Sequence, residues 1–205
     1  MGMFGKKPTM WERKPGDIAS RIEADDVKRI WFNRPFIVQD GTAALMFSKG
    51  RLLGRVEAGE HDIDGILRRF FYGEDPTTLV IIDDGEMPLD SSIDGLYSSD
   101  QIALSASVRL TIALADSELF YQNMMRDRRR YTLEELASHL RPELHDAILA
   151  FTATTPIDAL FNNPALRGQA EASLQERIGT NLASLGFALV TVNVLGVSSP
   201  TYDTH

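Results

Sequence analysis

One run of the sequence alternates between apolar and mostly polar residues. From position 100 to position 112 every second residue is apolar, namely Ile102, Leu104, Ala106, Val108, Leu110 and Ile112. Successive side chains of a strand point to opposite faces, so this pattern predicts a long strand with one face in the core and the other in water. A chain with such a strand has to build a sheet with at least one covered face.

The end of the chain predicts a helix followed by a second strand. Asn163 and Pro164 have the residue types of a helix N-cap and a first helical position, and Gly186 is a residue at which helices end. The β-branched run at 190–194 predicts the strand that follows. Between the two helix ends the apolar residues recur every three or four positions, as Leu166, Ala170, Leu174, Ile178, Leu182 and Leu185.

The remaining segments predict β-structure before the long strand and helices after it. The segment 35–63 is predicted to be β, with a hairpin at 38–47, and 79–82 is predicted to be a further strand. After the long strand, Asp116 or Ser117 is placed to cap a helix through Met125. Two more helices are predicted. Thr132 and Glu135 have the spacing of a capping box at the start of one helix, and the other starts at Thr155 and Pro156.

In this order, these pieces resemble the SPFH family, also called the Band 7 or prohibitin-homology domain, which includes stomatins, prohibitins and flotillins. The similar segments are 38–47, 50–53, 56–63, 100–112, 115–120 and the helix ending at 185–187. The opening at 25–30 is most similar to a soluble bacterial branch. The resemblance implies an α+β fold, a mainly antiparallel curved sheet with helices packed after the long strand.

Three regions are expected along the chain. Residues 1–17, with their glycines and prolines, are predicted to be a flexible N-terminal arm, and 198–205 to be a C-terminal tail or linker. Residues 18–197 are expected to form the SPFH domain as one unit. No run of about 20 apolar residues is present, so the chain is expected to be cytoplasmic, or peripheral at the inner membrane face.

Composition and motifs disfavour several functions. A formal charge of −8, from 29 acidic and 21 basic residues, works against nucleic-acid binding, and the absence of cysteine excludes thiolate chemistry. We expect no cofactor and no enzymatic activity. The alternative is a ligand-binding or metal-binding protein, or an enzyme, that uses the acidic loop 83–90, where Asp83, Asp84, Glu86 and Asp90 offer oxygen ligands. A solvated acidic turn is the favoured interpretation of that loop.

Two groups of residues are candidates for contact with a membrane or a partner. The resemblance implies a non-catalytic scaffold that forms homo-oligomers and organises membrane-associated proteins at or near a membrane. Arginine makes bidentate bonds to phosphate and carboxylate. Apolar residues of a hairpin are more often part of the core. The resemblance nevertheless implies contact with lipid, because the family commonly presents this region toward the membrane. The candidates are Leu45, Phe47, Leu52 and Leu53, and the basic cluster Arg126, Arg128, Arg129 and Arg130.

Overall fold

The computed structural model describes residues 9–10, 14–23, 36–61 and 77–201. The chain divides into two compact units, each built from separate stretches of sequence. Unit 1 comprises 1–85 and 116–132, and unit 2 comprises 86–115 and 133–205. The segment 18–197, predicted to be one domain, contributes to both units. The predicted arm at 1–17 contains a two-residue strand and the first residue of the next strand.

The described residues of unit 1 form two sheets. Its strands are β1 (Thr9–Met10), β2 (Asp17–Glu23), β3 (Phe36–Val38), β4 (Thr42–Ser48), β5 (Arg51–Val56), β6 (Gly59–His61), β7 (Thr77–Asp83) and, after two strands of unit 2, β10 (Arg130–Thr132). The larger sheet is antiparallel and has the order β10-β2-β7-β4-β5. The smaller sheet has the order β1-β3-β6, with β1 parallel to β3.

The core of unit 1 forms around the two inner strands β4 and β7. Every residue of β7, and every residue of β4 before Ser48, is buried. Asp116 caps α1 (Ser117–Phe120) by accepting hydrogen bonds from the backbone N–H groups of Glu118 and Leu119, and the chain continues as a π-helical turn at Tyr121–Met125. The predicted helix from Asp116 to Met125 is therefore confirmed in its extent. The ring of Tyr121 stacks on Phe47 with 4.0 Å between centroids.

Unit 2 combines one antiparallel sheet with three helices. The strands are β8 (Met87–Tyr97), β9 (Ala103–Leu114) and β11 (Phe187–Ser198), in the order β11-β9-β8. The helices are α2 (Leu133–Thr152), α3 (Ile157–Asn162) and α4 (Pro164–Ser184). The long predicted strand is β9, which starts at Ala103 rather than at 100. A turn precedes it, in which Gln101 has a positive φ and Asp100 accepts a hydrogen bond from the Ile157 N–H at the start of α3.

Helix α4 agrees with the sequence prediction at both ends. The Asn163 side chain accepts a hydrogen bond from the Ala165 N–H at 3.1 Å, and Gly186 follows the helix with φ 90°. Four residues of the predicted stripe are buried, namely Ala170, Leu174, Ile178 and Leu182. The helix packs on β11 and on α2. The mixed α+β architecture with antiparallel sheets is therefore confirmed.

Two predictions about strands were wrong. The hairpin expected at 38–47 does not form, because β3 pairs with β1 and β6 and not with β4. The hairpin of this region is β4–β5, where Lys49 and Gly50 both have positive φ, the combination required by a type I′ turn. The second error concerns the predicted loop 83–90, since β8 already begins at Met87 and Asp90 lies within a strand.

Candidate functional site

Large apolar side chains are exposed at the edges of both main sheets. Among the described residues these are Leu53 at 45%, Tyr97 at 39%, Val190 at 41% and Leu195 at 48% exposure. Leu53 lies on β5, Tyr97 on β8, and Val190 and Leu195 on β11, each of which is the outer strand of its sheet. Outer strands are where a protein most readily contacts another chain. We refer to these four residues as the edge residues.

The two edge residues on β11 are both the extra residue of a β-bulge. Leu189 pairs with Ile112 and Thr191 with Thr111, so Val190 has no partner on β9. The same irregularity occurs between Val194 and Gly196 and leaves Leu195 without a β9 partner. A bulge adds a residue to one strand and re-aims its side chain. This explains how two apolar side chains of β11 remain exposed.

Side chains of neighbouring helices form hydrogen bonds with backbone groups of these outer strands. In unit 2, the Val194 N–H donates to Glu171 Oε1 at 2.9 Å, and Gln175 Nε2 donates to the Leu189 carbonyl at 3.2 Å. In unit 1, the Leu52 N–H donates to Glu118 Oε1 at 2.8 Å. A covered edge resists the addition of another strand. At these positions another chain can contact the exposed side chains more readily than it can pair with the backbone.

Comparison with known families agrees with this architecture. A sequence model of the SPFH domain / Band 7 family matches residues 36–203.

The chain belongs to the SPFH family.

The resemblance to the SPFH family is thus confirmed, whereas the segment 25–30, on which the placement in a soluble bacterial branch rests, lies outside the described residues. Members of this family are generally membrane-associated scaffolds rather than enzymes. No curated protein matches this SPFH sequence. Within the part of the chain that the structure describes, no helix has both the length and the hydropathy needed to cross a bilayer.

Of the four apolar candidates predicted from the sequence, Leu53 is the one that is exposed. Leu45 and Phe47 are buried, with at most 1% exposure, because β4 is an inner strand of the sheet. In this structure neither side chain is placed to touch a membrane or a partner. Leu52 is half-buried, whereas Leu53 on the same strand points outward. Tyr97, Val190 and Leu195 did not emerge from the sequence as contact candidates.

The basic cluster of this SPFH domain is exposed but largely engaged within unit 1. It lies between the π-helical turn and β10, not directly between two helices. Arg130 forms an ion pair with the buried Asp17, and the Arg128 guanidinium lies 5.6 Å from the centroid of the Tyr131 ring, a cation–π distance. Among the described residues, the side chains of Arg126 and Arg129 have no acidic partner.

Three of the four acidic residues of the predicted loop 83–90 are also engaged individually. Asp83 is buried and accepts a hydrogen bond from the Gly85 N–H, and Asp84 forms an ion pair with Arg55. Asp90 accepts two hydrogen bonds from Arg109, at 2.6 and 2.8 Å, and this guanidinium lowers the pKa of the Asp90 carboxyl. In the described ranges, no three acidic or histidine side chains are grouped so as to hold a metal ion.

Proposed function

We propose that this SPFH domain is a non-catalytic scaffold that self-associates side by side and organises partner proteins at or near a membrane. The observation that carries the proposal is the exposure of Val190 and Leu195 at the two bulges of β11. A soluble domain gains nothing in its own core from apolar side chains in these positions. Burial against a neighbouring copy would remove them from water, at about 25 cal/mol per Å² of apolar area.

The chemistry of the edges favours side-chain contact between copies. Glu171 and Gln175 already bind backbone groups of β11, so continuation of the sheet from one copy to the next is blocked there. Each copy also carries a formal charge of −8 and repels its neighbours. Salt screens such repulsion, because the Debye length falls from about 30 Å at 0.01 M to about 10 Å at 0.1 M. Self-association should therefore strengthen as salt is added at low ionic strength.

The decisive experiment measures the absolute mass by light scattering across a concentration series at two ionic strengths. The variant Leu195→Lys places a charge in the proposed contact, and Asn193→Lys is its control, because Asn193 is an exposed polar residue on the same strand. We expect the parent and Asn193→Lys to form multimers and Leu195→Lys to shift toward the monomer. A strict monomer for the parent, or equal masses for both variants, would contradict the proposal.

Membrane contact is proposed to be peripheral and at the inner face, with Arg126 and Arg129 as the cations that remain available to lipid phosphates. Co-sedimentation with vesicles containing phosphatidylglycerol tests this step. Replacing both arginines by glutamine should reduce binding, whereas Arg177→Gln, which removes an exposed charge from α4, should not. Added salt should weaken vesicle binding, the opposite of its effect on self-association.

The alternative function, binding of a ligand or metal at 83–90, makes a different prediction. A site for a hard cation would have to draw Asp84 and Asp90 away from Arg55 and Arg109. Saturable binding of Ca²⁺ or Mg²⁺ that raises the unfolding temperature would favour this alternative. Self-association that is insensitive to chelator favours the scaffold.

A further inference from the structure

Unit 2 contains a cavity of about 180 Å³ whose lining residues come from all three helices and from β9 and β11. The space exists because small residues converge on it. Ala106 on β9, Ala170 on α4 and Gly196 on β11 all line the cavity. A Cβ atom added at Gly196 would meet no other atom within 4 Å. Several elements of unit 2 enclose this space in part, and it is accessible from solvent.

The walls of the cavity are mainly apolar. They include Ile148 and Phe151 from α2, Leu160 from α3, and Val194 and Val197 from β11. A cavity with walls of this kind offers water few hydrogen bonds and binds apolar molecules instead. An engineered apolar cavity of about 150 Å³ accepts benzene, so by proportion this one holds about seven carbon atoms. Its size suits one short alkyl chain.

The cavity has one charged residue among its described lining, Arg167 in the second turn of α4. Its side chain is exposed and has no acidic partner among the residues that the structure describes. An exposed guanidinium beside an apolar cavity complements a molecule with an apolar chain and an anionic head. Glu171, one turn further along α4, accepts the Val194 N–H through Oε1.

The same contacts disfavour a peptide as the occupant. A peptide that ran along β11 would need free backbone groups beside the cavity. The N–H of Val194, which lines the cavity, is occupied by Glu171, and further along β11 the Leu189 carbonyl is occupied by Gln175. An alkyl chain needs no backbone partner and therefore meets no such obstacle.

We propose that this cavity binds the alkyl chain of a free medium-chain carboxylate, with Arg167 at the carboxylate. The first test is a series of sodium carboxylates from butanoate to dodecanoate, each below its micelle concentration, measured by isothermal titration calorimetry. The dissociation constant should fall about fourfold per added methylene, which corresponds to about 0.8 kcal/mol. The gain should stop near eight carbons, where the cavity is full. Binding that does not saturate, or that strengthens evenly through twelve carbons, would overturn the proposal.

Two pairs of variants on α4 localise the binding. Ala170→Leu fills part of the cavity and should weaken octanoate binding at least tenfold, whereas Ala183→Leu adds the same bulk at an exposed position and should leave it unchanged. Arg167→Gln should weaken octanoate about threefold and leave neutral octanol unchanged. Arg177→Gln, which removes a charge from the same helix, should affect neither ligand.

Circular dichroism shows whether Ala170→Leu folds. If it does not, Arg167→Gln and Arg177→Gln still test the proposal. Equal octanoate affinity in Arg167→Gln and Arg177→Gln would overturn the assignment of the carboxylate. A final arm uses phosphatidylglycerol vesicles without free carboxylate. If Ala170→Leu abolishes vesicle binding but leaves octanoate binding intact, the occupant is a bilayer lipid and the proposal is wrong. None of the four variants changes an edge residue, so failure of the carboxylate proposal and failure of the proposed self-association are distinguishable.

Discussion

Replacing Phe47 by alanine should destabilise unit 1 severely. The side chain is 1% exposed on an inner strand and stacks on Tyr121 with 4.0 Å between ring centroids and 12° between ring planes. Truncation of a buried phenylalanine leaves a cavity and costs about 3–5 kcal/mol, which includes about 0.5–1.5 kcal/mol for the lost aromatic pair. With a urea dependence of about 2 kcal/mol/M, the unfolding midpoint should fall by roughly 2 M.

Urea unfolding followed by circular dichroism and tyrosine fluorescence measures this loss. The control is Leu53→Ala on the neighbouring strand, where the side chain is 45% exposed and the expected change is within about 0.5 kcal/mol. If Phe47→Ala does not fold, Phe47→Leu should still show a loss of about 1–2 kcal/mol. The reasoning is refuted if Phe47→Ala costs less than about 1 kcal/mol while binding to lipid vesicles falls. That result would place Phe47 at a membrane rather than in the core.

Two ion pairs lead to further predictions. Arg130→Ala leaves the buried Asp17 carboxylate without its guanidinium and should lower the free energy of unfolding in urea by about 1–3 kcal/mol. The control Arg129→Ala should leave it nearly unchanged. Equal effects of the two variants would contradict a specific role for the pair. The pKa of Asp90 is lowered by Arg109, so the stabilisation from this pair is present above about pH 4 and is lost as the pH falls through the lowered pKa. Arg109→Gln should raise the pKa of Asp90 toward its ordinary value in an NMR titration, and an unchanged pKa would show that the pair does not form in solution.

The elements predicted well from the sequence are those with an unbroken pattern. Every second residue of β9 from Leu104 to Ile112 is buried, so the alternation in the sequence reproduces the two faces of the strand. Helix α4 has a continuous apolar stripe and its own capping residue, Asn163. In both cases local residues alone determine the element.

Strand β8 was missed because its pattern is broken in two places. Met87, Leu89 and Ile93 are buried, but the half-buried residue between the last two is Ser91. Past Ile93 the register with β9 shifts by one residue at a bulge, where Gly95 has a positive φ. Because of the polar residue and the shifted register, the sequence pattern does not predict this strand of eleven residues.

The sequence alone does not show which apolar side chains are exposed and which are buried in the core. Strand β4 is buried along almost its whole length, so its sequence gives no alternation that would mark Leu45 and Phe47 as internal. On β11, the sequence does not distinguish Val190 from the buried Val192, because only the pairing with β9 determines which side chain is displaced. The cavity of unit 2 likewise depends on small residues that are far apart in the sequence.

Because of its two bulges, β11 can gain or lose an exposed residue while its paired residues keep their partners on β9. Deleting Val190 would join Leu189 directly to Thr191, whose partners on β9 are already adjacent, so no existing backbone pair would have to move. The same holds for Leu195. A single insertion or deletion can therefore add or remove an apolar contact while the packed residues keep their places. Under the proposed scaffold function, such a change in β11 would alter self-association and leave the fold intact.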